Sequence, residues 1–233
     1  MIVLGIETST TVCAAAVAGD GAVRADAWVD ERNVHAEMLL LQVDRVLTAA
    51  GVPLKELSGI AVSIGPGSFT GLRIGLSVAK GLAYAAGIPI VAVPTLHALA
   101  ARTIAEEALP PGCAVLALID ARRDEAYAQL FTANEGRAVP AGDVRAEDLG
   151  MILAQTAGEE IVITGDAHRK AREAMEKLPP STRGRYRFAG ESASRCSAAT
   201  VALLGEDLLR AGAADEPGSL EPRYMKEFFL NHR

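Results

Sequence analysis

The chain has 233 residues and a formal net charge of −6; half of it is hydrophobic but only 4% aromatic, so the core is expected to consist of Ala, Val, Leu and Ile. The acidic balance argues against broad nonspecific binding to nucleic acid or to an anionic membrane, while leaving open RNA handled through a partner. Cys13, Cys113 and Cys196 are odd in number, far apart and include no CxxC pair, which gives no support to a disulfide framework or zinc ribbon and fits a reducing cytoplasm.

The opening MIVLGIETST lacks a basic lead and turns polar at Glu7, unlike a signal peptide. No apolar run approaches the roughly 20 residues that span a bilayer, so a soluble cytoplasmic protein is expected. MIVLGIET reads as a buried strand, and CAAAVAG and AVRADAWVD follow it across short turns as a three-stranded meander. Val34 to Ala50 spaces Val34, Met38, Leu41 and Leu39, Val43, Val46 as a helix, with Asn33 as N-cap and Gly51 as stop. LSGIAVSIG is the next strand, a glycine-rich turn leads into a second helix, IPIVAVP is a strand, and TLHALAARTIAEEAL is a third helix. Pro110, Pro111 and Gly112 then mark an internal boundary, giving lobes of residues 1–109 and 110–233. CAVLALIDARRDEAYAQLF reads as a second hairpin, so both halves begin alike. LGMILAQTA reads as helix, EEIVITGDA as strand, AHRKAREAMEKL and SAATVALLGEDLLRAG as helices, and LEPRYMKEFFLNHR as a tail. The pattern predicts a two-lobed α/β protein, with room for the last helix or tail to pack back on the first lobe.

The stretch SIGPGSFTGLRIGLSVAKGLA, Ser63 to Ala83, raises the question of a phosphate loop. Walker A fails, because Gly71 is followed by Leu72 and Arg73 and Lys80 lies well inside the helix. The dinucleotide fingerprint is one residue too long and lacks an acid about 20 residues on. Free N–H groups at the start of the helix are nevertheless able to attract an anion. Gly71, Gly75, Ala79 and Ala83 fall at i, i+4, i+8 and i+12 as a stripe with almost no side chains. Glycine costs roughly 1 kcal/mol against alanine inside a helix, so the stripe implies a close approach. Arg73, Ser77, Lys80 and Tyr84 form a narrow polar edge beside it. Periodicity alone leaves two covers open, the chain's own sheet and first helix or another chain.

GPGSFTGLRIGLSVAKGLA resembles the signature of the TsaB (YeaZ) family, a subunit of the bacterial machinery that makes threonylcarbamoyladenosine in tRNA, next to the anticodon. GIETST, HAEMLLLQVDRVL, IPIVAVPTLHALA, DARRDEAY, GDA and EPRYMK agree in order and spacing, whereas residues from about 128 to 215 match loosely. The resemblance implies the actin-like, sugar-kinase-like (ASKHA) ATPase fold of two similar lobes. It implies a noncatalytic scaffold that activates the paralogue TsaD, with the ATPase TsaE as a further partner, tRNA met only through the complex, and a homodimer when alone. The implied partner surface comprises His35, Met38, Leu39, Gln42 and Val46 of the first helix and Gly71, Arg73, Gly75, Val78, Ala79 and Leu82 of the second. On that basis Gly75→Leu is expected to weaken pairing and leave the monomer folded. No cofactor is expected for the isolated chain, with ATP or ADP reserved for the assembled interface.

Catalytic relatives hold a metal with a His-x-x-x-His pair; here Thr95 and Leu99 take those positions, with His97 between them and His35, His168 and His232 scattered, so no metal is expected. The Asp-x-Gly turns that cradle phosphate in this fold correspond to Glu7-Thr8-Ser9 and Asp120-Ala121-Arg122, and Gly165-Asp166 keeps a trace of the adenosine-facing glycines. Asp120 and Glu125 are read as solvated hairpin ends. The competing readings are an independent nucleotide-binding phosphotransferase or hydrolase, and a glycoprotease-like peptidase. For the second, Ser9, Ser63, Ser68, Ser77 and Cys13 lack a nucleophile-elbow frame, and Ser68 reads better as a helix cap.

Overall fold

The computed structural model describes residues 1–156, 160–183 and 185–225; Lys226 of the EPRYMK match and His232 lie outside them. The chain opens with β1 (Ile2–Glu7), β2 (Val12–Gly19) and β3 (Ala22–Asp30), followed by α1 (His35–Ala50), β4 (Gly59–Ser63), α2 (Phe69–Ala86) and β5 (Ile90–Val93). These strands form one sheet in the order β3-β2-β1-β4-β5, antiparallel through the meander and parallel from β1 to β4 and β5. α3 (Thr95–Glu106) leads to β6 (Ala114–Asp120), β7 (Glu125–Asn134), β8 (Arg137–Pro140), β9 (Arg145–Asp148), α4 (Leu149–Gln155), β10 (Ile161–Thr164), α5 (His168–Glu176), one-turn α6 (Pro180–Arg183), β11 (Tyr186–Phe188) and α7 (Ala198–Arg210). The second sheet runs β11-β10-β6-β7-β8, with β9 also paired to β7. Read from β8, it repeats the first: two antiparallel steps, then two parallel ones.

Local chemistry sets the helix ends. Gly51 and Gly87 adopt φ of 65° and 67°, the left-handed conformation that only glycine takes without cost, and so stop α1 and α2. The Ser68 hydroxyl caps α2 by accepting from Gly71 N at 3.2 Å, as expected. Asn33 does not cap α1: it is itself left-handed at φ 64°, and the cap position falls on Val34, which has no side-chain acceptor.

Two helices cross between the lobes. α3 precedes the proline boundary, yet Leu96, Leu99 and Ile104 pack in the second lobe with Val115, Ala117 and Phe131. α7 belongs to the second half of the chain, yet Val201 packs with Val3, Ala61 and Val91, and Ala198 with Val12, Ala14 and Ala16. Small residues permit this approach: a Cβ at Gly5 would overlap the Ala198 carbonyl, and one at Gly205 would overlap Ala61 Cβ. The alanine-rich β2 thus provides the seat for α7. Beyond α7 the chain returns as a strap along the open edge of β5, where Asp215 N donates to Ile90 O at 2.9 Å and Ala92 N to Asp215 Oδ2 at 2.7 Å. Among the described residues no helix is long and apolar enough to cross a membrane.

Glu206 locks α7 to the first hairpin. The residue is 2% exposed; Oε1 accepts from Asp20 N at 2.8 Å, Oε2 from Gly21 N at 3.0 Å, and Arg210 Nη2 donates to Oε1 at 2.6 Å. Burial pushes its carboxyl up, but the Arg210 hydrogen bond and the two turn amides outweigh burial and hold it below its usual range. A depressed folded pKa contributes stability above the unfolded value, and that contribution disappears as pH falls through the folded value. Glu206→Gln is expected to cost about 1–2 kcal/mol at neutral pH and progressively less below about pH 4, read from urea midpoints across pH.

Candidate functional site

A cleft of about 980 Å³ opens between the lobes, bounded by Ser9 to Thr11, the start of α2 and the β6–β7 hairpin. Behind its first wall, the fully buried Glu7 accepts from Ser9 N at 2.6 Å and Ser9 Oγ at 2.5 Å. Burial raises the Glu7 carboxyl, against the lowering effect of those bonds. Glu7 therefore braces the turn. On the opposite wall Lys170 Nζ contacts Asp120 Oδ1 at 2.6 Å, and Asp166 Oδ1 accepts from Asp120 N at 2.8 Å. Desolvation pushes the Asp166 carboxyl up to about 6, and the neighbouring Asp120 charge adds to it. Asp120 is thus ion-paired, in contrast to the solvated hairpin end expected for it. Arg122 and Arg123 occupy the turn at φ 71° and 50°, and Arg122 N donates to Asp120 Oδ1 at 2.7 Å. A left-handed turn that glycine would occupy in a phosphate cradle here brings two guanidinium side chains to the cleft.

The candidate nucleophiles are poorly placed for chemistry. Burial pushes the Cys13 thiol up to about 11 and Cys196 well above its usual value, so neither is a ready thiolate. The Ser–His contact among the described residues joins Ser194 Oγ to His168 Nε2 at 3.0 Å, and neither residue lines the cleft. His35 Nε2 meets Val12 O at 3.2 Å within the first lobe. Of the segment aligned with the metal-binding helix, Thr95 Oγ1 accepts from Gly65 N at 3.1 Å and His97 stacks on Phe131 at 5.8 Å between centroids.

The expected partner residues divide into two sets. Gly71, Gly75, Ala79 and Ala83 face inward. A Cβ at Gly71 would overlap the Thr8 carbonyl and one at Gly75 the Thr8 Oγ1, so the chain's own β1–β2 turn covers the start of the small-residue stripe, and Ala79 and Ala83 pack in the first core. His35, Leu39, Gln42 and Val46 are likewise buried within the first lobe. Met38, Val78 and Leu82 are half-buried and Arg73 is exposed. What faces outward is different: Leu40 and Leu41 on α1, 56% and 52% exposed, and Tyr84 on α2, 91% exposed. α2 also carries a second small-residue stripe, Ser77, Gly81 and Ala85, which is exposed; a Cβ at Gly81 would meet nothing within 4 Å. The same i, i+4, i+8 spacing signals this stripe in the sequence.

The family model for TsaD, tRNA N6-adenosine threonylcarbamoyltransferase, matches residues 31–213. The tRNA threonylcarbamoyladenosine biosynthesis protein TsaB of Escherichia coli is 40% identical over 129 residues, covering 54% of this chain and 53% of that protein. The chain spans about half the length of the curated TsaB relatives it matches. Among solved structures, YeaZ from Pseudomonas aeruginosa superposes with a TM-score of 0.81 at 28% identity, covering 96% of this chain and 99% of that one. The Lmo2764 protein from Listeria monocytogenes, described as a candidate N-acetylmannosamine kinase, reaches 0.54 at 10% identity over 91% of this chain and all of that one, a likeness of fold alone. The two repeated lobes are those of the actin-like, sugar-kinase-like (ASKHA) class.

Proposed function

The chain belongs to the TsaB (YeaZ) family, within the larger group that the TsaD model describes, and on that premise we propose that it is a scaffold subunit in threonylcarbamoyladenosine biosynthesis. It binds the TsaD paralogue through the outer faces of α1 and α2 and holds it in a productive arrangement. The observation that carries this reading is the exposed apolar surface of Leu40 and Leu41 on α1 and Tyr84 on α2, together with the exposed Ser77–Gly81–Ala85 stripe. Leucines this exposed each have roughly 1 kcal/mol to gain from burial, and the small stripe lets a partner helix approach closely.

The contribution is a binding free energy that selects one TsaD conformation. TsaE joins the assembly, tRNA is met through the complex in the cytoplasm, and the same face pairs two copies of the chain when TsaD is absent. Nucleotide, in this reading, belongs to the assembled interface. The cleft supports a noncatalytic role, because Arg122 and Arg123 stand where a phosphate cradle needs bare backbone and Lys170 already engages Asp120. The test is sedimentation of the chain with TsaD from the same organism. A one-to-one complex that displaces the self-paired form is the expected result; two species that sediment independently contradict it.

A further inference from the structure

The outer edge of α2 carries a feature that apolar docking does not use. Arg73, Ser77, Lys80 and Tyr84 line up at i, i+4, i+7 and i+11. Arg73 is pinned: its guanidinium lies 3.8 Å from the Phe69 ring centroid, and its Nε donates to the Tyr224 hydroxyl at 2.8 Å. Tyr224 in turn packs on Phe69 at 5.0 Å between centroids. The strap that brings Tyr224 there is held along its length, by Asp215 on β5, by Leu220 in the first core and by Arg223 N donating to Ile64 O at 2.8 Å. Pinning an arginine side chain costs rotamer entropy. Yet among the described residues its two Nη atoms have no acceptor, and Lys80 has neither a hydrogen bond nor an ion pair. Two free cations, one of them held in place, therefore stand about 10 Å apart on a helix edge, in a chain whose net charge is −6. A groove of about 240 Å³ runs between this edge and the strap.

We propose that this edge recognises carboxylates of the docked paralogue: the Arg73 Nη pair takes one carboxylate in bidentate fashion, and Lys80 takes a second two helical turns away. Tyr224 is a positioning residue, which orients Arg73 from the far end of the chain. The inference rests on the docking face proposed above and supplies its register, since an apolar face alone permits sliding along α2. A protein partner fits better than RNA. Two cations are few for a polynucleotide, and the exposed Tyr84 and the half-buried Val78 and Leu82 offer apolar surface beside them.

Affinity for TsaD, measured by titration calorimetry at low and at physiological salt, tests this with Lys80→Glu, Tyr224→Phe and, as a face control, Leu41→Asp. Lys80→Glu is expected to weaken binding about tenfold at low salt and to flatten its salt dependence. Tyr224→Phe keeps the ring and removes the acceptor, and is expected to weaken binding about threefold with the thermal midpoint unchanged. If Leu41→Asp abolishes binding while Lys80→Glu and Tyr224→Phe bind like the parent, the docking reading stands and this inference is overturned. If Leu41→Asp has no effect either, the docking face itself is wrong. If Lys80→Glu leaves TsaD affinity intact but lowers retention of tRNA by the complex, the occupant is RNA and the proposal fails.

Discussion

Gly75→Leu is expected to destabilise the protein severely. A Cβ at this position would overlap Thr8 Oγ1, with Thr8 Cβ and Cγ2 next at 3.3 Å, so the added side chain has to displace the β1–β2 turn or lift α2 off its sheet. Both belong to the first core, where α2 contributes Leu76, Ala79 and Ala83. A leucine forced against the buried Thr8 side chain lies at the upper end for single substitutions, about 4 kcal/mol, a large part of the stability of an ordinary domain. A urea midpoint shifted far down, with loss of near-ultraviolet dichroism, is the expected reading. The smaller pair Gly75→Ala and Thr8→Ala should couple, because removing Oγ1 leaves the nearest atom at 3.3 Å; the double variant is expected to be more stable than Gly75→Ala alone. An unchanged midpoint for Gly75→Leu would mean that the stripe does not face Thr8. The expectation drawn from the sequence, weakened pairing in an intact monomer, is replaced by this one.

Gly81→Leu, six residues along the same helix, is expected to do the reverse. Its Cβ points into open space, and exchanging glycine for leucine in an exposed helix adds roughly 0.8 kcal/mol of stability. The leucine would, however, stand in the middle of the outward small-residue stripe, between Ser77 and Ala85, where a partner helix approaches. Binding to TsaD is expected to fall about a hundredfold, the scale of a central interface position, while the melting temperature rises. Leu41→Asp on the neighbouring helix should act in the same direction by placing a charge in the apolar contact. A Gly81→Leu protein that binds TsaD like the parent would move the interface away from α2.

The contrast between these two glycines shows what a sequence pattern carries. Spacing at i, i+4, i+8 reports a close approach and is silent on what approaches. Gly71 and Gly75 meet Thr8 of the same chain and Ala79 packs in the first core, whereas Ser77, Gly81 and Ala85 meet solvent. The meander, both hairpins and the main helices were legible because each rests on local periodicity and turn chemistry. The exchange of α3 and α7 between lobes was not, since it depends on fits between residues far apart in the chain, such as Gly5 against Ala198 and Gly205 against Ala61. β8, β9 and β11 are three or four residues long and too short to carry a period. Asn33 has the composition of a cap, but the chain reaches helical geometry one residue later. The strap is a tail by composition, and its place on β5 and α2 appears only through single long-range contacts at Asp215, Leu220, Arg223 and Tyr224.

The measurement that bears most directly on the scaffold role is an omission assay. TsaD and TsaE from the same organism are supplied with tRNA, ATP and threonylcarbamoyl-adenylate, and modified adenosine is counted by nucleoside mass spectrometry with and without this chain. Modification that collapses when the chain is left out, returns when it is added, and does not return with Gly81→Leu is the predicted result. Modification that proceeds equally fast without the chain would contradict the account.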